Sequence, residues 1–492
     1  MCTQKNESLL SLDELLRATG GVLFGADGGK GAGGKGACVF TSVSTDSRTA
    51  EKGALFAALK GTSCDGHSFI EKACENGATV VLAMNSSVQE FSPLYKALAK
   101  RGVSVVLTEN TLHALQKAAA FYVAKFPALQ KIGITGSSGK TTVKECIASI
   151  LSQSYSVVMN RGNLNSETGL PLSVFNIRPH HQIGVFEMGM NRPNEIGEIA
   201  GVLKPEYALI TNIGSAHVGI LGSKKNIAAE KRKIFDYIPA SGAAFVPASD
   251  VFAPFLIENC KGQIVYFGGD VSAEKSGVSL VFDEGLAGTV FSVGCERVHF
   301  KLPGMYNYEN ALAAVAVGKY FGVSDAEIKT ALSSFGGVSG RSESGVVALK
   351  NGKRVTLVKD CYNANAESTA GVLSFCASAK DVERRIYVLG DMLELGEASR
   401  GVHEKAGRDA CKANAYKIVF IGTEMKYAYD AALASGFTGA LYIAGASENA
   451  MSCAADFILA NASDGDLLLL KGSRGMALER IVPLIAAEGC DA

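Results

Sequence analysis

One stretch carries the clearest chemistry: residues 131–147, KIGITGSSGKTTVKECI. Ile132, Ile134 and Thr135 make a short strand-type run, Gly136-Ser137-Ser138-Gly139 turns, and Lys140-Thr141-Thr142 opens a helix whose Val143, Cys146, Ile147 and Ile150 fall at helical spacing. A strand feeding a Gly/Ser turn and then a helix N-terminus is an anion site. The turn amides point inward, and the helix dipole adds roughly half a positive charge there. Lys140 suits the outer phosphates of a nucleotide, and the Thr141 hydroxyl suits Mg²⁺. The usual phosphate-loop pattern is incomplete, because the glycine expected five residues before Gly139 falls at Ile134, leaving G-x-x-G-K-T-T. The plainer alternative is an ordinary Gly-rich turn before a helix. The grouping of Gly139, Lys140 and Thr141 in a strand–turn–helix context favours nucleoside triphosphate binding.

Other polar residues fall where strand-like segments end, the usual ligand position in α/β proteins. Residues 183–186 run into Glu187 in FEMGMN, the expected second Mg²⁺ anchor; the alternative, a solvated strand-end carboxylate, is weakened by its apolar flanks. Residues 207–211 run into NIGSAHVG, which carries His217; alone, such a histidine is more often structural than a ligand. Asp46, Ser47, Arg48, Asp65 and His67 lie on turns beside strands, where ligand groups compete with turn and capping roles. Asn163, Asn165 and Glu167 lie on a Gly-bounded loop that suits a polar ligand. Lys231, next to Arg232 and Lys233 on a helix expected over 224–237, reads by itself as part of a basic, solvated stripe. Arg341, DCYNAN (360–365, with Asp360 and Asn363), GDMLELG (390–396) and KGSRG (471–475) occupy later loops. In the last of these, Lys471, Arg474 and the turn amides suit a phosphate or carboxylate. A literal G-x-G-x-x-G at 31–36 is rejected as a dinucleotide site, because a strand-like segment (37–43) and not a helix follows it; a flexible hairpin loop is expected over 25–37.

The elements that must position these groups alternate between strand and helix patterns. The expected fold is α/β in three domains: 1–127, 128–338 with a parallel sheet behind the phosphate loop, and a small doubly wound domain at 339–492. A helix is expected over 6–20, and strands at 55–58, 79–82, 103–107, 156–159, 183–186 and 207–211. Further strands are expected at 244–247, 264–267, 278–282, 289–293 and 298–302, and in the last third at 355–358, 386–389, 417–421 and 467–470. A length of 492 residues fits about three domains. Lys+Arg and Asp+Glu are both 48, so no charge balance argues for nucleic acid or a membrane surface. The longest aliphatic run, 467–470, is far short of the ~20 residues of a membrane span, and the N-terminal stretch lacks a signal-peptide core, so a cytoplasmic protein is expected. Twelve scattered cysteines without C-x-x-C read as reduced thiols, and the seven histidines include no H-E-x-x-H.

With these pieces in order, the chain resembles the Mur ligase family from about residue 44 to 482. The matching segments are DSR and KGTSCDGH; TGSSGKTT, GNLNSETGLPLS, EMGMN, TNIGSAH and AAEKRKIF; then GR, YNAN, GDMLELGE and KGSRGM. It is most similar to the branch that adds D-alanyl-D-alanine to UDP-N-acetylmuramoyl-tripeptide, and it lacks the DNPR-type motif of the sister ligase that adds the third amino acid. The resemblance implies a UDP-sugar-binding domain, a central ATPase domain and a Rossmann-like domain for the incoming dipeptide. It implies that Gly136, Ser137, Ser138, Gly139, Lys140, Thr141 and Thr142 cradle ATP, that Asn310 contacts adenine, and that Arg341 and Asp360 reach ATP from the third domain. It implies two Mg²⁺ ions held by Thr141, Glu187, His217 and Lys231, the lysine as a carbamate. Ser47, Arg48, Asp65, His67, Asn163, Asn165, Asn363, Lys471 and Arg474 would face the two substrates. Three positions depart from the family pattern: Tyr306 stands for the His of G-x-H-N, Lys359 precedes Asp360 where an acidic pair is usual, and Ala366 follows YNAN in place of Pro.

These residues suit an amide ligase working through an acyl phosphate; the resemblance implies cytoplasmic peptidoglycan precursor synthesis, and a monomer is expected. A carboxylate must approach the polyanionic ATP; Lys140, the loop amides and the metal ions offset that repulsion, and domain closure excludes water. Two other readings are another Mur-type ligase adding a single amino acid and a nucleotide-state switch without bond-making. Whether ATP turnover needs both a carboxylate and an amine separates the switch from a ligase.

Overall fold

The computed structural model describes residues 8–25, 39–61, 64–269, 271 and 273–487. The Gly-rich stretch expected to form a hairpin loop lies outside them apart from Gly25. The chain divides into two compact units: 1–133 with 157–190 and 195–205, and 134–156 with 191–194 and 206–492. The division falls inside the strand Gln130–Thr135.

The first unit holds a five-stranded sheet in the order Val22–Leu23, Ser104–Thr108, Val80–Met84, Ala54–Ala57, Ser42–Ser44; the first strand is antiparallel and the others parallel. Its buried strands carry near-continuous apolar runs, such as Ala54–Ala57 with every residue buried, as parallel sheets covered on both faces require. Phe56, Ile70, Val81, Tyr95 and Leu98 make one core. The parallel strands Val157–Met159 and Ile183–Glu187 bring Glu187 to a strand's carboxyl end as expected. The first helix is Leu12–Thr19 and not 6–20. Ser11 caps it in a reciprocal box with Glu14, while Leu10–Ser11 pairs as a strand with Val39–Phe40. The helix Val88–Lys100 had no sequence signal, because Pro93 interrupts its pattern.

The second unit starts with the phosphate-loop helix Lys140–Leu151, packed against Met305–Tyr320 so closely that a Cβ on Gly318 would lie 2.6 Å from Ile150 Cγ2. Tyr207–Ile210, Ala243–Pro247 and Gln263–Phe267 run parallel. An antiparallel meander follows, Val278–Asp283, Thr289–Val293 and Glu296–Phe300, its last strand two residues earlier than expected. The helix expected over 224–237 ends at Arg232 and tightens into a 3₁₀ turn, Lys233–Phe235.

The last third of the second unit is a six-stranded sheet in the order Glu343–Ala348, Arg354–Asp360, Leu467–Lys471, Arg385–Gly390, Lys417–Ile421, Ala440–Ile443. All pairs are parallel except the first. Both edge strands escaped the sequence reading, Ala440–Ile443 being short and Glu343–Ala348 partly polar and glycine-bearing. Strand Leu467–Lys471 is buried throughout; Leu468 and Leu470 enter one core, Leu467 and Leu469 the other.

Candidate functional site

The phosphate-loop turn has the backbone that only glycine adopts easily. Gly136 has φ +153° and Gly139 φ +78°. A Cβ on Gly136 would lie 1.8 Å from Thr211 Oγ1, and one on Gly139 2.3 Å from Asn310 Oδ1. The loop between them is held by the strand-end segment 211–214. Thr211 Oγ1 and Asn212 Nδ2 donate to the Ser138 carbonyl (2.6 and 3.1 Å), Ser138 N donates to Asn212 Oδ1 (3.0 Å), and Gly214 N donates to Ser137 Oγ (2.8 Å). These partners lay outside the sequence reading, because they act through a loop distant in sequence.

Two lysines converge on one carbonyl. Lys140 Nζ donates to Gly136 O at 2.9 Å and Lys231 Nζ to the same oxygen at 2.8 Å. Lys231 is 1% exposed, which overturns the picture of a solvated basic stripe. Burial first, and then the Lys140 charge, hold its ammonium well below the ordinary lysine range, with Glu230 opposing. A lysine pushed toward the neutral amine is a nucleophile, whereas a protonated one is not.

His217 sits in the left-handed region (φ +66°), and its Nδ1 lies 2.6 Å from Glu394 Oε2. The contact is close, but Nδ1 finds no well-directed hydrogen bond there. The ion pair with His217 draws the Glu394 carboxyl below its ordinary range. The two loops meet backbone to backbone: Gly219 N donates to Glu394 O (3.1 Å), and a Cβ on Gly219 would lie 2.4 Å from Gly396 N. Close by, the Glu367 carboxylate accepts from Ser215 N with both oxygens (3.0 Å each), from Ser215 Oγ (2.7 Å) and from Lys224 Nζ (2.8 Å). Asn365, the N-cap of helix Ala366–Ser378, donates to Ser138 Oγ at 2.9 Å. At the N1 position after that cap Ala366 is helix-compatible, so losing the common Pro leaves the turn intact.

These elements surround a cavity of about 530 Å³, within the ordinary size of a ligand site. Ser137 to Lys140, Thr142, Asn310, Arg341, Asp360, Asn363 and Lys471 line it, so the structure gathers most of the expected nucleotide residues. Arg341 lies over the Tyr362 ring (4.2 Å), and its Nε is buried without a hydrogen-bond partner. Asp360 Oδ1 accepts from Ser342 N (3.2 Å) and Oδ2 from Lys471 Nζ (2.8 Å), which also donates to Asn363 O (2.7 Å). Lys471 is 2% exposed and committed to Asp360, so this geometry makes it a brace of the cavity wall. Arg474 is absent from the lining and pairs with Glu479 at 2.6 Å. Tyr306 donates to or accepts from Ser342 Oγ at 2.8 Å. Lys359 does not disturb the charge at the cavity. Strand alternation turns it away from Asp360, and it pairs with Glu343, its cross-strand neighbour, at 2.9 Å.

In the first unit, Glu187 Oε1 accepts from Asn165 Nδ2 (2.6 Å), and Asn160 bridges the Glu187 backbone (2.9 and 3.0 Å). Asn165 therefore orients the carboxylate, while Asn163 is exposed. His67 is 2% exposed with both ring nitrogens engaged: Nδ1 pairs with Asp65 at 2.6 Å, and Nε2 accepts from Met84 N at 2.9 Å. Asp65 and His67 thus brace a turn. Arg48 is 86% exposed on its side chain and clasps Asp46; Ser47 is buried, its carbonyl accepting from Asn76.

The arrangement fits a nucleotide with a divalent cation. Two lysine side chains meet on the Gly136 carbonyl, a Cβ at Gly136 or Gly139 would collide with its neighbours, and Arg341, its Nε without a hydrogen-bond partner, lines the cavity beside the loop. Among the described residues no group of three or more His, Cys, Asp or Glu side chains forms a ready metal centre. Mg²⁺ bound with a nucleotide takes few protein ligands, so this donor set suits it. Among the described residues no helix is long and apolar enough to cross a membrane.

Three family profiles match in sequence order: the Mur ligase family catalytic domain over 39–122, the Mur ligase middle domain over 134–318 and the Mur ligase glutamate ligase domain over 340–474. The UDP-N-acetylmuramoyl-tripeptide–D-alanyl-D-alanine ligase of Treponema pallidum is 38% identical over 98% of this chain and 100% of its own length. MurF from Acinetobacter baumannii superposes with a TM-score of 0.81 at 29% identity, covering 96% of this chain and 98% of that one. MurF from Thermotoga maritima, solved in complex with ADP, gives 0.73 at 25% identity over 90% and 96%.

Proposed function

The chain belongs to the Mur ligase family, and from that premise we propose the residue-level account of an ATP-dependent ligase that joins D-alanyl-D-alanine to UDP-N-acetylmuramoyl-tripeptide in peptidoglycan synthesis. The observation that carries it is the cavity on the phosphate loop that Lys140 and Arg341 both line, with Lys231 meeting Lys140 on the Gly136 carbonyl behind it. ATP lies with its phosphates on Gly136 to Thr142 and its base toward Asn310. Arg341 and Asp360 contact it from the last third of the chain.

Thr141, Glu187, His217 and Lys231 would hold two Mg²⁺ ions, with Lys231 as a carbamate whose hard oxygens suit the metal. When bound, the ions neutralise phosphate charge during transfer. The chain's own contribution starts at Lys231. Burial and the Lys140 charge favour its neutral amine, which adds CO₂ through the nitrogen lone pair and releases a proton to solvent, and the resulting carbamate anion would attract the Lys140 ammonium. Lys140 and the loop amides then stabilise the equatorial oxygens as the tripeptide's terminal carboxylate takes the γ-phosphoryl group. The dipeptide amine displaces phosphate from the acyl phosphate, forming the amide. Ser47, Arg48 and Asn163 face the UDP-sugar peptide, while Asn363 and Arg474 face the dipeptide. Asp65, His67, Asn165 and Lys471 position their neighbours. The domains run 1–127 for the UDP sugar, 128–338 for ATP and 339–492 for the dipeptide. The enzyme is cytoplasmic and monomeric.

The test is ADP release with UDP-N-acetylmuramoyl-tripeptide, with and without D-Ala-D-Ala. Stoichiometric ADP and amide only with both substrates are expected. Equal turnover without the amine, or with a single amino acid in its place, would overturn the assignment.

A further inference from the structure

We propose that Glu367 is a positioning residue that makes docking of the helix Ala366–Ser378 a condition for ordering the metal-binding loop. This deepens the proposed function and rests on it. The carboxylate stands at the second position of that helix and takes the Ser215 amide, the Ser215 hydroxyl and the Lys224 ammonium at once. Ser215 is two residues from His217, and Lys224 opens the helix that carries Lys231. One side chain of the last third therefore grips both segments that supply the second metal's ligands. The grip is strong for a half-buried acid. Burial pushes its pKa up, but the Lys224 and Ser215 hydrogen bonds outweigh it and hold the carboxyl below its ordinary range.

The packing leaves no slack around this contact. A Cβ on Gly214 would lie 3.1 Å from the Glu367 carboxyl carbon and 3.1 Å from Ser137 Cβ, so the carboxylate, the loop and the phosphate turn are in mutual contact. Asn365 reaches Ser138 from the same helix cap, and Glu394 stands 2.6 Å from His217 Nδ1 on the neighbouring loop. Without the docked helix, the Ser215 amide and hydroxyl lose the carboxylate that accepts from both. Loop order, and hence His217 placement, then depends on the arrival of the segment that also carries the dipeptide site. ATP chemistry is thereby tied to the presence of the acceptor's domain, which limits futile hydrolysis.

The experiment uses the full chain, wild type, Glu367→Gln and Glu367→Ala, with melting temperature confirming the fold. Hydrogen exchange of the peptide spanning 211–222, without ligands, should quicken roughly tenfold in both variants, while the peptide spanning 385–390 keeps its protection. Mn²⁺ affinity in the presence of ADP should fall roughly 10–100-fold, the usual cost of losing an outer-shell partner. The KM for UDP-N-acetylmuramoyl-tripeptide should not change. If Glu367→Ala does not fold, the isosteric Glu367→Gln decides, since it keeps the shape and loses the ion pair. A wild-type chain that does not ligate overturns the functional reading. A wild-type chain that ligates, with variants that keep wild-type exchange and Mn²⁺ affinity, overturns this inference alone.

Discussion

Two ammonium groups on the Gly136 carbonyl make the sharpest local demand in the molecule, and they answer differently to substitution. Lys140→Ala should lower ligation by on the order of 10²–10³-fold, because it removes a charge that meets the transferring phosphoryl group. Circular dichroism should show an unchanged fold. Lys231→Ala should lose activity to a similar degree but regain part of it with formate or acetate, whose oxygens occupy the vacated space. The same acids should leave Lys140→Ala inactive, and equal rescue of both would sink the distinction. Stability should move the other way. A base whose folded pKa is depressed binds its proton more tightly in the unfolded chain, so its presence costs stability below the ordinary lysine pKa, increasingly as pH falls toward the folded value. In CO₂-free buffer, Lys231→Met should therefore raise the melting temperature, and by more at pH 6 than at pH 9. Lys140 and Glu187 were legible because strand–turn–helix and strand-end contexts are local. The burial of Lys231 was not legible, since local charge pointed to a solvated stripe. Asn365 closes the DCYNAN motif and Glu367 stands two residues beyond it in no motif, and their partners lie 227 and 152 residues away, beyond any periodicity.

At the scale of elements, the phosphate turn is the tightest joint. Gly139→Ala puts a methyl 2.3 Å from Asn310 Oδ1 on a backbone with φ +78°, so both strain and collision oppose it. ATP affinity should drop at least tenfold by calorimetry, a loss of roughly 1.4 kcal/mol; unchanged affinity would mean that Asn310 moves aside freely. The turn is a strict case of a rule that holds for most of the fold: where one face or one joint is demanding, the residues announce it. Leu467–Lys471 announced a buried central strand by its unbroken leucines. The edge strands Glu343–Ala348 and Ala440–Ile443 need only half-satisfied pairing and tolerate mixed composition, so they left little trace. The early start expected for the first helix was an error of the same kind, because Ser11 and Glu14 end the strand and begin the helix within four residues.

At the scale of the whole chain, every strand of the six-stranded sheet lies after residue 342. A chain ending near Gly337 therefore cuts no sheet. It should fold, bind UDP-N-acetylmuramoyl-tripeptide within about threefold of wild type, and form no amide, since Arg341, Asp360 and Asn363 are gone. Measurable amide by mass spectrometry would refute the placement of the dipeptide site. Residues from about 44 to 482 carry the family's order of motifs, which made the architecture legible, whereas the docking of the last third on the segment 211–217 rests on contacts that no linear pattern encodes. The strand order of that last third also bears on how the protein comes into being. Leu467–Lys471 is the last strand made and the one placed between Arg354–Asp360 and Arg385–Gly390, pairing with both. During synthesis these two neighbours wait with facing edges unpaired until nearly the whole polypeptide has been produced. Closing that gap is a late, long-range event, and chains interrupted shortly before it present two open, apolar parallel edges to one another. For this enzyme a ribosome stall near residue 460 is a greater aggregation hazard than one near residue 340.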